Sequence, residues 1–169
     1  MITQQWDDPT TSFDLISTVT MPPASVVDIG GGASQLVDRL LEHGYRDITV
    51  VDQSQDELTA AYERVGAAPV TWTATDINDW VPDRTFDVWH DRATYDDLSD
   101  PDEQQHYWDL VRTSVEVGGH VIIATKGEDA TALRDAMTDG FTVIRVEAKE
   151  RIAPVGLPEH FTWLLAKRS

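Results

Sequence analysis

The sequence predicts an α/β fold: a three-layer, doubly wound sheet of five parallel strands, extended by a C-terminal antiparallel hairpin to seven strands. Five apolar, β-branched runs alternate with segments whose apolar residues recur at helical spacing, which is the pattern of a parallel sheet with helices on both faces. The last two strand-like runs, 141–152 and 160–167, are joined only by a short connection rich in Pro and Gly. Because so short a connection cannot form a parallel crossover, these two strands should pair antiparallel at one edge of the sheet.

The first predicted strand leads into a turn suited to a nucleotide pocket. An apolar run at 26–29 ends in three consecutive glycines at 30–32. Glycine lets the backbone approach a ligand closely, and the free amide groups of the next helix face the same space. That helix should span about 34–43, because Gly44 follows it.

The remaining elements continue the alternation. A strand at 48–51 ends on Asp52, and Ser54 can cap the next helix, which Gly66 ends. The other predicted elements are strands at 70–74, 86–90 and 120–125 and helices at about 102–115 and 130–137. We expect one domain, 24–169, preceded by a cap segment, 1–23, that contains a short amphipathic helix.

Composition argues against several classes of function. The formal charge of −17 argues against a nucleic-acid partner, because binding to phosphates depends on clustered Lys and Arg. The absence of cysteine excludes disulfides and Cys-based metal or thiol sites. No metal site is predicted, since His43, His106 and His160 lack ligand spacing. No apolar run approaches the ~20 residues of a membrane span, so a cytoplasmic protein without a membrane partner is expected.

Polar residues stand at the ends of four successive predicted strands. They are Asp28, Asp52, Asp76 and the run His90, Asp91, Arg92. Ligands of a doubly wound sheet bind outside the carboxyl ends of its strands, so these side chains should share one pocket. Asp52 follows Gly30 by 22 positions, close to the ~20 expected for an acid that binds both ribose hydroxyls.

Two of these acids have more specific interpretations. Asp76 can accept from the exocyclic amine of a purine while the Ile77 amide meets a ring nitrogen, or it can cap the turn that follows. Asp28 should hold the glycine loop or a water network, because a carboxylate beside a pyrophosphate would be repulsive. The glycines also match a dinucleotide fingerprint only in part, since Gln35 stands where its third glycine is required.

These residues resemble the first motif of the seven-stranded, class I S-adenosylmethionine-dependent methyltransferases, which are Rossmann-like. Residues 26–34 are similar to its acid-x-Gly-x-Gly-x-Gly pattern, with Ser34 in the place of the third glycine. The runs at 50–52 and 75–77 and the terminal strand pair are similar to further features of that family. The resemblance implies S-adenosyl-L-methionine as cofactor and S-adenosyl-L-homocysteine as product. It implies these contacts: Gly30, Gly31 and Gly32 with the methionine portion, Asp52 and Gln53 with the ribose, Asp76 and Ile77 with the adenine, and Asp28 and His90 nearby.

A narrower similarity covers residues 86–93. They resemble the Asp-x-Trp-His-Asp-Arg-Ala signature of a group of small bacterial methyltransferases, and residues 118–125 match the same group. Two features depart from that group. Tyr95, Asp96 and Asp97 replace a Phe-His-Phe-like piece, and a longer Cys-containing loop after the fifth strand is missing. The chain therefore differs from the group on the substrate side.

The candidate catalytic residues follow the fourth strand. Methyl transfer needs an in-line nucleophile, so positioning does much of the work. Four residues are expected at the rim near the transferred methyl group: His90, Asp91, Arg92 and Tyr95. His90 or Asp91 can take a proton from an O, N or S nucleophile, and Arg92 can clamp an anionic substrate. Alternatively, Asp91 and Arg92 form a structural ion pair that organises the loop.

The sequence thus predicts a methyltransferase that acts on a small molecule or on a protein side chain. Two alternatives stay open. An S-adenosylmethionine-binding protein without catalysis is suggested by the altered segment at 95–97, and a nicotinamide-dependent oxidoreductase by the glycine turn with Asp52. Trp6 and Trp80 lie outside the predicted regular elements, and either could cover the pocket. The sequence specifies neither the methyl acceptor nor the oligomeric state.

Overall fold

A seven-stranded sheet forms the centre of the computed structural model, which describes residues 9–92, 94–127, 129–137, 139–153 and 155–169. The strands are β1 (Ser25–Ile29), β2 (Asp47–Asp52), β3 (Val70–Ala74), β4 (Phe86–Asp91), β5 (Val115–Lys126), β6 (Phe141–Ile152) and β7 (Pro158–Arg168). The helices are α1 (Thr10–Val19), α2 (Leu36–Glu42), α3 (Gln55–Val65), α4 (Thr94–Asp97), α5 (Pro101–Ser114) and α6 (Thr131–Ala136). The strand order across the sheet is β3-β2-β1-β4-β5-β7-β6.

Strands β1 to β5 are parallel, as the alternation of strands and helices predicts. β1 lies between β2 and β4, so the order of the strands reverses there. Ile29 at the end of β1 is in register with Val51 on one side and with Asp91 on the other. The carboxyl ends of β1, β2 and β4 therefore meet at one edge of the sheet, which is where such folds bind ligands.

The last two strands form the predicted antiparallel hairpin. β7 pairs antiparallel with both β5 and β6, so β6 lies at the edge of the sheet opposite β3. The predicted fold class, five parallel strands followed by an antiparallel pair, is confirmed.

Helices cover both faces of this sheet. Buried side chains of α5 and α6 pack on one face, among them Tyr107, Trp108 and Leu133. Buried side chains of α1, α2 and α3 pack on the other, among them Ile16 and Leu40. In the part of the chain that the structure describes, no helix combines the length and the apolar character needed to cross a membrane.

The boundary between α5 and β5 differs from the prediction. The pattern predicted a helix to about residue 115 and a strand from 120, whereas the helix ends at Ser114 and the strand begins at Val115. Gly118 has a φ of 83°, and the register between β4 and β5 shifts in this region. A Cβ on Gly119 would lie 2.9 Å from the carbonyl oxygen of Asp87. Glycine thus lets an irregular strand segment pass close to β4, a use of glycine that residue periodicity does not reveal.

Candidate active site

Hydrogen bonds hold the glycine turn after β1, residues 30–32, against the end of β2. The Gly30 amide donates to the carbonyl oxygen of Val51 at 2.7 Å, and Gly30 has a φ of 69°, a conformation that favours glycine. A Cβ on Gly30 would also run into the hydroxyl of Thr94. The Gly32 amide donates to Oδ2 of Asp52 at 2.9 Å. A side chain at Gly30 would therefore be both strained and obstructed.

A buried acid–histidine pair lies against this turn. Nδ1 of His90 lies 2.7 Å from Oδ1 of Asp28, and the two residues are 0% and 2% exposed. Oδ2 of Asp28 and Nε2 of His90 have no hydrogen-bond partner within the described residues. A Cβ on Gly31 would collide with the Asp28 carboxylate. The space that a side chain would need at Gly31 is thus taken by Asp28.

A cavity of about 510 Å³ opens at the carboxyl ends of β1, β2 and β3, a volume typical of small-ligand sites. It is lined by Ile29, Gly30, Val51, Asp52, Gln53, Ser54, Glu57, Thr75, Asp76, Ile77, Asn78, Thr94, Asp97, Leu98 and Glu103. Five residues predicted to bind the cofactor are among them: Gly30, Asp52, Gln53, Asp76 and Ile77. Four others are not part of this lining: Asp28, Gly31, Gly32 and His90.

Asp52 is fixed in the cavity wall by two backbone N–H groups. Its Oδ2 accepts from the Gly32 amide at 2.9 Å and its Oδ1 from the Ser54 amide at 2.8 Å. Ser54 is the N-cap of α3, as predicted: its hydroxyl accepts from the Glu57 amide at 3.3 Å. An ionised carboxylate has about four acceptor positions. Asp52 can therefore accept hydrogen bonds from hydroxyl groups of a ligand while it also accepts from the amide of the glycine turn.

The far end of the cavity is built by the turn after β3 and by the start of α5. Oδ1 of Asp76 accepts from the Asn78 amide at 2.8 Å, so Asp76 does cap this turn. Because Asp76 also lines the cavity, capping and ligand binding are compatible roles. From the other side, Nε2 of Gln104 donates to the carbonyl oxygen of Leu98 at 2.7 Å. α5 thus fixes the loop that closes this end.

The charge of the cavity is strongly negative. Its described lining contains five carboxylates and neither Lys nor Arg: Asp52, Glu57, Asp76, Asp97 and Glu103. A pyrophosphate would meet repulsion from these carboxylates, and the described lining itself offers no cation to offset it. The lining instead suits a ligand that carries positive charge and hydroxyl or amine donors.

The relation of the chain to known proteins agrees with this geometry. Residues 26–119, more than half of the chain, match a family model described as a methyltransferase domain. The chain belongs to this methyltransferase family. The predicted methyltransferase family is therefore confirmed.

Two curated proteins resemble this methyltransferase domain in sequence. A malonyl-[acyl-carrier protein] O-methyltransferase from Anoxybacillus flavithermus is 26% identical over 153 residues, which cover 89% of this chain and 57% of that protein. EEF1A lysine methyltransferase 2 from Mus musculus is 30% identical over 128 residues, which cover 70% of this chain and 52% of that protein. The chain thus spans little more than half the length of these relatives.

Solved structures share the fold of this methyltransferase domain. The N-methyltransferase NodS from Bradyrhizobium japonicum WM9, in complex with S-adenosylhomocysteine, has a TM-score of 0.81 at 18% identity, covering 98% of this chain and 91% of that one. The 1,6-didemethyltoxoflavin-N1-methyltransferase from Burkholderia thailandensis, with bound 1,6-didemethyltoxoflavin and S-adenosylhomocysteine, has a TM-score of 0.77 at 20% identity, covering 98% and 81%.

Two residues predicted at the rim are buried in this methyltransferase domain. His90 and Asp91 are each 0% exposed and do not line the cavity. His90 lies within β4, as predicted, and Asp91 is the last residue of β4, which runs one residue further than predicted. Successive strand residues point to opposite faces. His90 accordingly meets Asp28 on one face, while Asp91 meets Tyr107 on the other.

Asp91 organises the loop after β4. Its Oδ1 accepts from the Thr94 amide at 2.8 Å, and its Oδ2 accepts from the Tyr95 amide at 2.9 Å and from the Tyr107 hydroxyl at 2.6 Å. Burial, together with the charge of Asp91, raises the pKa of Tyr107 well above its ordinary value. These bonds start the one-turn helix α4, which the sequence did not predict. Asp91 therefore organises this loop through hydrogen bonds. The alternative interpretation of the sequence also gave Asp91 this role, but through an ion pair with Arg92.

Arg92 is also buried, at 7% exposure. Its Nη2 donates to the hydroxyl of Ser34, which also accepts from the Leu36 amide at 3.0 Å. Arg92 thus connects the loop after β4 to the start of α2, behind the glycine turn. The predicted clamp on a substrate would require this side chain to be accessible, and the structure does not place it so.

Tyr95 is half-buried and packs on α5. Its ring centroid lies 4.9 Å from that of Tyr107 and 5.3 Å from that of Trp108. It does not line the cavity, whereas Thr94, Asp97 and Leu98 of the same segment do. The residues of this loop that line the cavity are therefore not those predicted to lie at the rim.

Sequence reasoning missed the contribution of α5 to the cavity. Glu103 lines it, and the Asp100-Pro101 start of α5 was the signal that could have located this helix end. Trp80 is 8% exposed, its ring centroid lies 6.0 Å from that of Trp89 in the core, and it is not part of the cavity lining, so its predicted covering role is wrong. Trp6, the other residue predicted to cover the pocket, lies outside the described residues.

Proposed function

We propose that this protein transfers the methyl group of S-adenosylmethionine to a small-molecule nucleophile. The observation that carries the proposal is the acidic, cation-free lining of the cavity beside the glycine turn, as far as the described residues form it. The cofactor carries a positive sulfonium, a ribose with two hydroxyls and an adenine amine, all of which suit carboxylate neighbours. The same lining disfavours the pyrophosphate of a nicotinamide cofactor.

The residues that would hold the cofactor are part of this proposal. Gly30, Gly31 and Gly32 would contact the methionine portion through their backbone. Glycine is needed at each position because a Cβ would meet Thr94, Asp28 or Asp52. Asp52, with Gln53 beside it, would bind the ribose. Asp76 and the Ile77 amide would bind the adenine. When bound, the cofactor supplies an electrophilic methyl group on a good leaving group.

On the acceptor side we propose that the chain works by positioning. Buried Asp91 and Arg92 hold the loop after β4 to α5 and to α2. Of the four predicted rim residues, three are buried and Tyr95 is half-buried. An acceptor of low pKa, or one already neutral and nucleophilic, needs no base. We therefore propose that His90 and Asp91 contribute through geometry rather than by contact with the acceptor.

Binding without turnover is the second candidate function. The altered segment supports it, since Oδ2 of Asp96 accepts from the Lys126 amide at 3.2 Å, and Oδ1 of Asp97 lies 3.7 Å from Nζ of Lys126. These contacts tie α4 to the end of β5.

We also propose that the chain belongs to the small bacterial group of methyltransferases with the Asp-x-Trp-His-Asp-Arg-Ala signature.

Two measurements test these proposals. Thermal-shift titration should show stabilisation by S-adenosylhomocysteine that rises with concentration, and none by NAD, because a ligand that binds only the folded state raises stability. Stabilisation by NAD alone would overturn the proposed function. Formation of S-adenosylhomocysteine should then be followed with panels of small O, N and S nucleophiles, with lysine-containing peptides as comparison. Binding without transfer to any acceptor would favour the second candidate.

A further inference from the structure

We propose that Glu103 determines specificity for adenine at this site, by accepting a hydrogen bond from the exocyclic amine of the cofactor. This inference rests on the proposed function and names a residue on α5, outside the turn after β3. It assigns to Glu103 part of the adenine recognition that the sequence suggests for Asp76.

The position of Glu103 is unusual for its place in a helix. It is the third residue of α5, whose N-cap is Asp100. A glutamate three residues after an N-cap commonly turns back to the cap. Here Oε1 of Glu103 instead accepts from Nδ2 of Asn78 at 3.1 Å, across the cavity end. The cap is satisfied separately, since Oδ1 of Asp100 accepts from the Asp102 amide at 2.8 Å.

Asn78 holds two carboxylates at the same end of the cavity. Its backbone amide donates to Oδ1 of Asp76, and its side-chain amide donates to Oε1 of Glu103. Both acids line the cavity, but Asp76 is exposed while Glu103 is half-buried. A hydrogen bond gains strength as water is excluded from it. The half-buried, tethered carboxylate is therefore the stronger candidate acceptor.

The chemistry of a carboxylate makes this a selective contact. An ionised carboxylate only accepts hydrogen bonds, so it matches an amine and repels a carbonyl oxygen. Adenine carries an amine at the position where hypoxanthine carries a carbonyl. Glu103 should thus favour an adenosyl ligand over an inosyl ligand, while the amide introduced by Glu103→Gln could donate to the carbonyl.

The test compares S-adenosylhomocysteine with S-inosylhomocysteine by calorimetry on the full chain. The wild-type protein should bind the adenosyl ligand at least about tenfold more tightly, and Glu103→Gln should reduce this preference by about tenfold, in line with the strength of hydrogen bonds to charged groups. Asp102→Asn, an exposed change in the same helical turn, should leave the preference unchanged. Asn78→Ala, which releases the tether, should lower the preference less than Glu103→Gln does.

Three results separate a failure of this inference from a failure of the proposed function. An unchanged preference in Glu103→Gln, with normal binding of S-adenosylhomocysteine, overturns the inference and leaves the proposed function standing. A preference that is lost in Asp76→Asn but kept in Glu103→Gln also overturns it, since the acceptor is then Asp76. If the wild-type protein binds neither ligand, the proposed function fails first. The thermal unfolding midpoint of each variant without ligand confirms that it is folded.

Discussion

Nδ1 of His90 lies 2.7 Å from Oδ1 of Asp28 in a part of the protein where neither side chain reaches solvent. The pair joins the end of β4 to the end of β1, two strands that meet where the strand order reverses. The same carboxylate occupies the space that a side chain on Gly31 would need. We therefore expect His90 to influence the ligand site through Asp28.

Replacement of His90 by Phe should destabilise the protein by about 1–3 kcal/mol, because it leaves a buried carboxylate without its partner. His90→Asn can keep an N–H donor near Asp28, so it should lose less stability than His90→Phe. Urea denaturation measures both values, and calorimetry on the folded variants should show weaker binding of S-adenosylhomocysteine in His90→Phe. A general-base role for His90 instead requires an at least ~100-fold lower kcat with unchanged stability and affinity in His90→Asn, and that result would contradict the positioning role.

Gly31→Ala tests the contact between the turn and Asp28. The added Cβ should cost about 1–3 kcal/mol of stability, as overpacking of a tight site does, and should weaken cofactor binding. In an Asp28→Ala background the same substitution should cost markedly less, because the obstructing carboxylate is gone. Denaturation of the wild-type protein, both single variants and the double variant completes the cycle. Additive costs would mean that Asp28 does not restrict Gly31.

The architecture could be predicted because it follows from patterns along the chain. Strands and helices alternate with clear periodicity, and a Pro/Gly connection as short as that between the last two strands permits only an antiparallel pair. Asp52 and Asp76 were found for a related reason. Polar residues at the ends of parallel strands converge at one edge of the sheet, so their positions in the sequence locate the cavity.

The surroundings of β4 could not be predicted in the same way. Polar residues at a strand end suggested an accessible rim, but His90 and Asp91 are buried against partners that lie far along the chain. His90 meets Asp28, 62 positions away, and Asp91 meets Tyr107, 16 positions away. Such partners become visible only when the sheet and α5 are assembled. Glu103 escaped notice for the same reason, since its contact is with Asn78 on another element.

Asp52→Ala should lower the affinity for S-adenosylhomocysteine by at least about tenfold, because a charged acceptor for hydroxyl groups is lost. It also removes the acceptor for the Gly32 and Ser54 amides, so a modest loss of stability, about 1–2 kcal/mol, should accompany it. Asp56→Asn, an exposed acid on the first turn of α3, is the matched control. Calorimetry measures the affinities. Equal affinity in Asp52→Ala and the wild-type protein would show that Asp52 is not a ligand of the cofactor.

Tyr107→Phe should change how stability depends on alkaline pH. Tyr107 is 1% exposed, its hydroxyl donates to Asp91 at 2.6 Å, and it accepts from Nε1 of Trp89 at 3.0 Å. Burial and the Asp91 charge raise its pKa in the folded protein well above the ordinary value of 10.0. Below pH about 10, Tyr107 is protonated in both the folded and the unfolded protein, so its contribution to stability is fully present. As the pH rises above about 10, the unfolded chain releases the proton first, and this contribution is lost at up to about 1.4 kcal/mol per pH unit.

Tyr107→Phe should therefore be less stable than the wild-type protein near neutral pH, by about 1–3 kcal/mol, because both hydrogen bonds are lost. Its stability should also fall less steeply above pH about 10, since one titrating group with a shifted pKa is absent. Tyr62→Phe changes a tyrosine that is 51% exposed and should leave both the neutral stability and the alkaline slope close to the wild-type values. Urea midpoints measured across this pH range give the slopes. Identical alkaline slopes for Tyr107→Phe and the wild-type protein would mean that Tyr107 does not titrate differently in the two states.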